Sequence, residues 1–286
     1  MNKIYRKLYS ERIRIRRKLL SHTTNDPYLS GDSLSAICDA TFGDNIQVIG
    51  PARMKLTDAK SIFCESKNLE ELLVEFGSRI NAKVIFVGNG DEEFHDLPYT
   101  WPRNLKKIYL QNSFISDSKR IFTLPIGIEN KRLGNSKLQL LKSVSHNYAN
   151  KKILFGPFGK THNSRENLYN IFTVDGYQEY WHYEINRLPK HKYRKLLKNF
   201  AYVACPRGNG VDTHRLWEAI YLGRYPIIEN NPWADSLSYL KIPLIQITEW
   251  SKEEVLSLNL SSVQKFSPQK IESIWIPYWI KLLKSV

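Results

Sequence analysis

Arg215 and Glu218 stand three residues apart in the stretch CPRGNGVDTHRLWEAIYLGRYPII (205–228), and around them Leu216, Trp217, Ala219, Ile220, Tyr221 and Leu222 leave no polar face. Residues three apart are neighbours on one helix face, and a helix that is apolar all round is buried. The two charges therefore cannot form a solvated stripe. An arginine in a first helical turn adds a forked cation to the positive end of the helix dipole, a combination suited to a diphosphate. A carboxylate one turn deeper can accept two hydroxyl protons, as a ribose diol requires. The competing account is an intrahelical Arg215–Glu218 ion pair, worth about 0.2–0.5 kcal/mol on an exposed helix. Burial makes such a pair costly, which favours the ligand site. In the preceding turn, Gly208 and Gly210 are expected to permit φ > 0 and a close approach of backbone to ligand.

These residues need a strand that ends where the turn begins, and AYVACP (201–206) supplies it, with the helix starting near Asp212 or Thr213. In open α/β sheets, ligands sit beyond the carboxyl ends of strands, where helix N-termini point their N–H groups outward. The rest of the chain alternates in the same way from about residue 34. KSIFCES (60–66) reads as a strand and NLEELLVEFGSRI (68–80) as an amphipathic helix with Leu69, Leu72, Leu73 and Phe76 on one side. AKVIFVGNG (82–90), LKKIYLQNS and KRIFTLPIG read as further strands, which predicts a parallel sheet. Residues 129–151, rich in Asn, Ser and Lys, suit a linker.

A second series follows: strand KKILFGPFG (151–159), helix NSRENLYNIF (163–172) with Asn163 or Ser164 as N-cap, and basic helix PKHKYRKLLKNF (189–200). After the 205–228 stretch come a last short strand, IPLIQIT (242–248), and two terminal helices, the second broken near Pro277. The expected organisation is a basic arm (1–24), an acceptor-side α/β domain (25–145), a second α/β domain (146–268) and a helix (269–286) crossing back.

The stretch 205–228 resembles the C-terminal motif of the exostosin family of glycosyltransferases. In that motif a Cys-Pro-Arg-Gly turn precedes a helix with Arg and Glu three apart, followed by Leu-Gly and a strand with Pro. NGDEEF, LKKIYLQN and TLPIGIEN are similar to the front half of exostosin-like sugar transferases. The resemblance implies a GT-B fold, in which two Rossmann-like domains face a cleft. It further implies a nucleotide-sugar donor in the C-terminal half, UDP being the family's usual carrier, inversion at the anomeric carbon, and no metal. By position, Arg215 would hold the diphosphate and Glu218 the ribose, while Arg207 and Gly208 would shape the donor loop. His214 stands where a small residue such as Ser is more usual, and it either bonds a phosphate or caps the helix. Without metal, cations and helix N–H groups must stabilise the departing diphosphate. Arg165 and Lys160 are candidates, because they follow a strand and a turn containing Gly156 and Gly159. The base that deprotonates the acceptor is expected from the first half, where Asp91, Glu92, Glu93, His95 and Asp96 follow a strand end. Asp91, nearest the strand, is the candidate. Asn112 and Glu129, each at a strand end, are expected to line the cleft.

Of 286 residues, 42 are Lys or Arg and 28 Asp or Glu, a net charge of +14 that calls for an anionic partner. Eight basic residues against Glu11 alone in the first twenty supply half of it. That arm is expected to be either solvated or drawn to an anionic membrane surface. Expected partners are a nucleotide-sugar donor and a glycan or lipid-linked acceptor. The alternatives are a non-catalytic glycan-binding or scaffold protein and a nucleic-acid binder. The nucleic-acid reading is disfavoured, because phosphate contacts would not require Arg215 and Glu218 inside an apolar helix. Cys38, Cys64 and Cys205 lack disulfide or zinc spacing, and no apolar run reaches 18 residues. The expected compartment is the cytosol, with peripheral attachment to a membrane face.

Overall fold

The structure is a computed structural model that describes residues 27–43, 54–97, 101–115, 119–130, 150–262 and 264–286. The basic arm lies outside these residues, as does most of the expected linker. Helix α1 (Gly31–Ile37) opens the described chain on a capping box in which the Ser30 and Ser33 side chains each satisfy the other's backbone N–H. Strands β1 (Ala40–Phe42), β2 (Ser61–Glu65), β3 (Val84–Gly88), β4 (Lys107–Leu110) and β5 (Ile121–Thr123) form one parallel sheet in sequential order, with helix α2 (Leu69–Phe76) crossing from β2 to β3. Every residue of β2 and β3 is buried. Continuous burial is why SIFCE and VIFVG read as unbroken apolar runs instead of alternating ones.

The second sheet is also parallel, with β6 (Asn150–Phe155), α3 (Asn163–Phe172), β7 (Trp181–Tyr183), α4 (Lys190–Asn199), β8 (Phe200–Ala204), α5 (His214–Tyr221), β9 (Tyr225–Glu229), α6 (Pro232–Ser236), β10 (Ile245–Ile247) and α7 (Lys252–Ser257). Its strand order is β10-β9-β8-β6-β7. The chain moves from β6 outward to β7 and then returns to β8 on the other side of β6. The gap between the carboxyl ends of β6 and β8 is thus a topological switch point, the place where open α/β sheets leave a crevice for ligands. Among the described residues the first sheet is wound in one direction only and has no such point.

Helix α8 (Ile276–Lys284) packs on the first sheet, where the Trp279 ring lies 5.6 Å from both Phe86 and Tyr109, edge to face. Pro277 sits in its first turn. It starts this helix and does not break it, since a first-turn residue needs no N–H donor. The N-cap of α3 is His162, whose Nδ1 accepts from Ser164 N, in place of the expected Asn163 or Ser164. Strands β1 and β7, three residues each, add to the expected set. No helix among the described residues is long and apolar enough to cross a membrane. The three cysteines are buried and form no disulfide.

Candidate functional site

The carboxyl edges of the two sheets meet. After β4, Asn112 accepts the Asp212 N–H on Oδ1 at 3.0 Å, and its Nδ2 donates to Gly90 O at 3.4 Å. Asp212 is the linchpin of the seam, because its carboxylate accepts from Ile126 N at 2.8 Å and from Trp217 Nε1 at 2.7 Å. Burial pushes the Asp212 carboxyl up to about 7 although those donors pull the other way. Sequence reasoning took Asp212 only as a helix boundary. Its burial beside Trp217 is visible only once the two sheets are joined.

Helix α5 starts from an extended Thr213, and every residue from Arg215 to Tyr221 is buried. The Arg215 side chain spans the switch point. Nε donates to Ala204 O at the end of β8 at 2.8 Å, and Nη2 to Gly156 O just past β6 at 2.6 Å, with Leu154 O and Pro157 O more distant at 3.5 Å. Its guanidinium lies over the Phe158 ring at 4.8 Å and the Tyr193 ring at 5.4 Å. Arg165, in the first turn of α3, ties the two ligand-side loops together. It donates to Arg207 O at 2.8 Å and Pro206 O at 3.3 Å on one side, and to Thr161 Oγ1 at 2.8 Å and Gly159 O at 3.2 Å on the other. Burial, and then the charge of Arg215, hold the Arg165 pKa below its ordinary value. Among the described residues neither arginine is within ion-pair distance of a carboxylate. Two guanidinium groups held by carbonyls and uncharged side chains leave a local excess of positive charge.

The intrahelical Arg215–Glu218 pair is therefore not formed. Glu218 is 8 % exposed, and burial pushes its carboxyl up to about 7, against the pull of Arg194. Arg194, on the inward face of α4, is buried as well. One turn earlier on that helix, Lys190 pairs with Glu129 of the first sheet's loop. The sequence reads α4 as a plain basic helix, and Arg194 does not stand out as an inward cation because Lys190, Lys192, Lys195 and Lys198 surround it in KHKYRKLLK.

His214 does not cap the helix. Thr213 occupies the cap position, and the His214 Nδ1 donates to Gly127 O across the seam at 2.8 Å. Gly208 and Gly210 are not among the positive-φ residues, which include Gly127, Gly156 and Gly223 instead. They are small for want of room: a Cβ on Gly208 would lie 3.0 Å from Arg165 Nη2, and one on Gly210 would lie 2.6 Å from Asn112 Nδ2. The Arg207 guanidinium reaches across the cleft to pair with Glu93. Asp91 is exposed and accepts from Asn209 Nδ2 at 3.1 Å. The carboxylate loop after β3 thus faces the Pro-Arg-Gly-Asn turn directly.

Beside these residues a cavity of about 610 Å³ opens between β7 and the start of α3, lined by Phe158, Lys160, Thr161, Arg165, Tyr169 and Tyr183 among others. Lys160 is exposed on its rim. Cys205, next to the turn, is buried, and burial pushes its thiol up to about 12, away from the reactive thiolate. No protein-family model and no curated protein matches the chain.

Proposed function

We propose that the protein is an inverting glycosyltransferase of the exostosin type on a GT-B fold, moving a sugar from a nucleoside diphosphate donor to a glycan or lipid-linked acceptor. The observation that carries this reading is the pair of guanidinium groups, Arg165 and Arg215, at the β6/β8 switch point with no carboxylate against them and an acidic loop opposite. In such a reaction the developing charge is on the departing diphosphate. Arg165, Lys160 and the first N–H groups of α3 and α5 would receive it. Arg215 adds its charge from the floor of the crevice, and Glu218 in its ionised form would accept the ribose hydroxyls. Arg207, now paired with Glu93, would exchange that partner for a phosphate. Asp91 acts as the base that takes the acceptor hydroxyl proton. UDP is the expected carrier on the resemblance of residues 205–228.

A thermal-shift and calorimetric series with UDP, GDP, dTDP and CMP, followed by transfer assays of the matching nucleotide sugars on an acceptor panel, tests the reading. One nucleoside diphosphate is expected to raise the melting temperature and its sugar to turn over. Asp91→Asn is expected to lower turnover far more than donor affinity. No response to any nucleotide would overturn the proposal, and binding without transfer would reduce it to a nucleotide-sugar-binding protein.

A further inference from the structure

Four cations stand immediately before four neighbouring strands of the first sheet: Lys60 before β2, Lys83 before β3, Lys106 before β4 and Arg120 before β5. Backbone pairing sets them side by side. Lys83 N donates to Lys60 O at 2.8 Å, Lys106 N to Lys83 O at 2.9 Å, and Ile108 N to Arg120 O at 2.8 Å. Neighbouring strands lie about 4.8 Å apart, so the row spans roughly 14 Å. Like charges opposite one another destabilise a sheet, and among the described residues only Lys83 and Arg120 of the four make a side-chain hydrogen bond or ring contact, Lys83 with Val286 and Arg120 over the Trp101 ring at 5.3 Å. Arg103 joins the row in lining a trough of about 690 Å³, where Asp58 is the acidic residue. The nearby Asp39 directs its Oδ2 to the N–H groups of Lys60 and Ser61 and to the Ser61 hydroxyl. Lys83 Nζ donates to Val286 O at 2.7 Å.

A second cavity, of about 430 Å³, shares Lys60 and Lys83 with the trough and is lined by Ile37, Ile280 and Leu283, with Lys284 beside them. A cationic trough thus runs into a half-apolar slot. A soluble polyanion would have use for the row and none for the slot. An uncharged apolar ligand would have use for the slot and none for the row. We propose that this edge of the first sheet docks an anionic bilayer surface, lipid phosphates resting on the row formed by Lys60, Lys83, Lys106 and Arg120 while the slot receives part of an acyl chain. The row lies at the amino ends of the strands and the candidate site at the carboxyl ends. Docking there holds the cleft away from the bilayer by the length of a five-residue strand, roughly 17 Å.

The test is co-sedimentation of the full chain with vesicles of phosphatidylcholine alone or mixed with phosphatidylserine. Preference for the anionic vesicles is expected, and it should weaken with added salt. Each cation near such a surface contributes measurably to the attraction, so a variant carrying both Arg103→Glu and Lys106→Glu should lose at least ~10-fold in affinity for the anionic vesicles. Both side chains are exposed, so its melting temperature should stay level or rise as the row's repulsion is relieved. Should that variant fail to fold, Arg103→Gln with Lys106→Gln carries the same test with a smaller expected loss. Undiminished vesicle affinity in the folded variant, or equal binding to neutral vesicles, would overturn the proposal. So would row-dependent binding of tripolyphosphate without any vesicle preference, which would make the trough a site for soluble anions.

Discussion

Arg215 does two things with one side chain. Its N–H groups close the carbonyl ends of β6 and β8, and among the described residues no carboxylate lies within ion-pair distance of it. Arg215→Ala should therefore cost about 1–3 kcal/mol of stability through unpaired buried carbonyls, read by urea denaturation, as well as donor affinity. A loss of affinity with unchanged stability would deny the bracing role. Glu218 makes a pH-dependent prediction. Its folded-state pKa is raised from 4.5 to about 7 by burial. Between those values the folded protein holds a proton that the unfolded chain releases, so stability falls as pH rises through the window. Glu218→Gln should flatten that slope and recover on the order of 1–3 kcal/mol at neutral pH. Asp212, raised from 3.8 to about 7, keeps a slope of the same sign in the variant. If the ionised carboxylate accepts the ribose diol, donor affinity in the parent rises from pH 6 to pH 8, and Glu218→Gln binds weakly at both. A parent affinity that is flat with pH would remove Glu218 from the ribose.

The two turn glycines separate loop from seam. Gly210→Ala drives a methyl into Asn112, which holds the Asp212 N–H, and should cost about 1–3 kcal/mol by overpacking. Gly208→Ala meets the side-chain ends of Arg165 and Thr161 at 3.0 and 3.4 Å, a milder contact than at Gly210, and should cost less stability than Gly210→Ala while weakening nucleotide binding in calorimetry. The reverse order of effects would mean that the turn had been misassigned. Long apolar runs make most strands legible in the sequence, because buried parallel strands carry a signal in every residue. Ala40–Phe42 and Trp181–Tyr183 escape notice because each is three residues set among polar neighbours, whereas the equally short edge strands Ile121–Thr123 and Ile245–Ile247 sit within longer apolar runs. The helix carrying Arg215 and Glu218 was legible from its missing polar face. The purpose of its glycines was not, since a residue without a Cβ satisfies an unusual φ and a crowded contact equally well. Nor could Glu93 be chosen from DEEF as the partner of Arg207, which lies more than a hundred residues away and meets it only where the sheet edges face each other.

At the scale of the whole molecule, each sheet keeps a buried cluster of its own on one side, and a third cluster joins the two. Phe86 and Tyr109 of the first sheet, Trp217 and Tyr221 beside the second, and Trp279 of α8 belong to that joining cluster. The Tyr221 hydroxyl accepts from Leu29 N at 2.9 Å and donates to Ile274 O. Calorimetry is expected to show one cooperative transition. Trp279→Ala should lower it as a whole, by about 3–5 kcal/mol, and two resolved transitions would show that the sheets unfold independently. Trp279 has a further consequence, for synthesis. The first sheet is made early, but the wall that covers Phe86 and Tyr109 is carried by the last helix. At about 5–20 residues per second, the ribosome takes roughly ten to thirty seconds to reach that helix after finishing β4. For that interval the aromatic face of a nearly complete sheet stands open to water, which makes the nascent chain a client for whatever holds apolar surface at the tunnel exit.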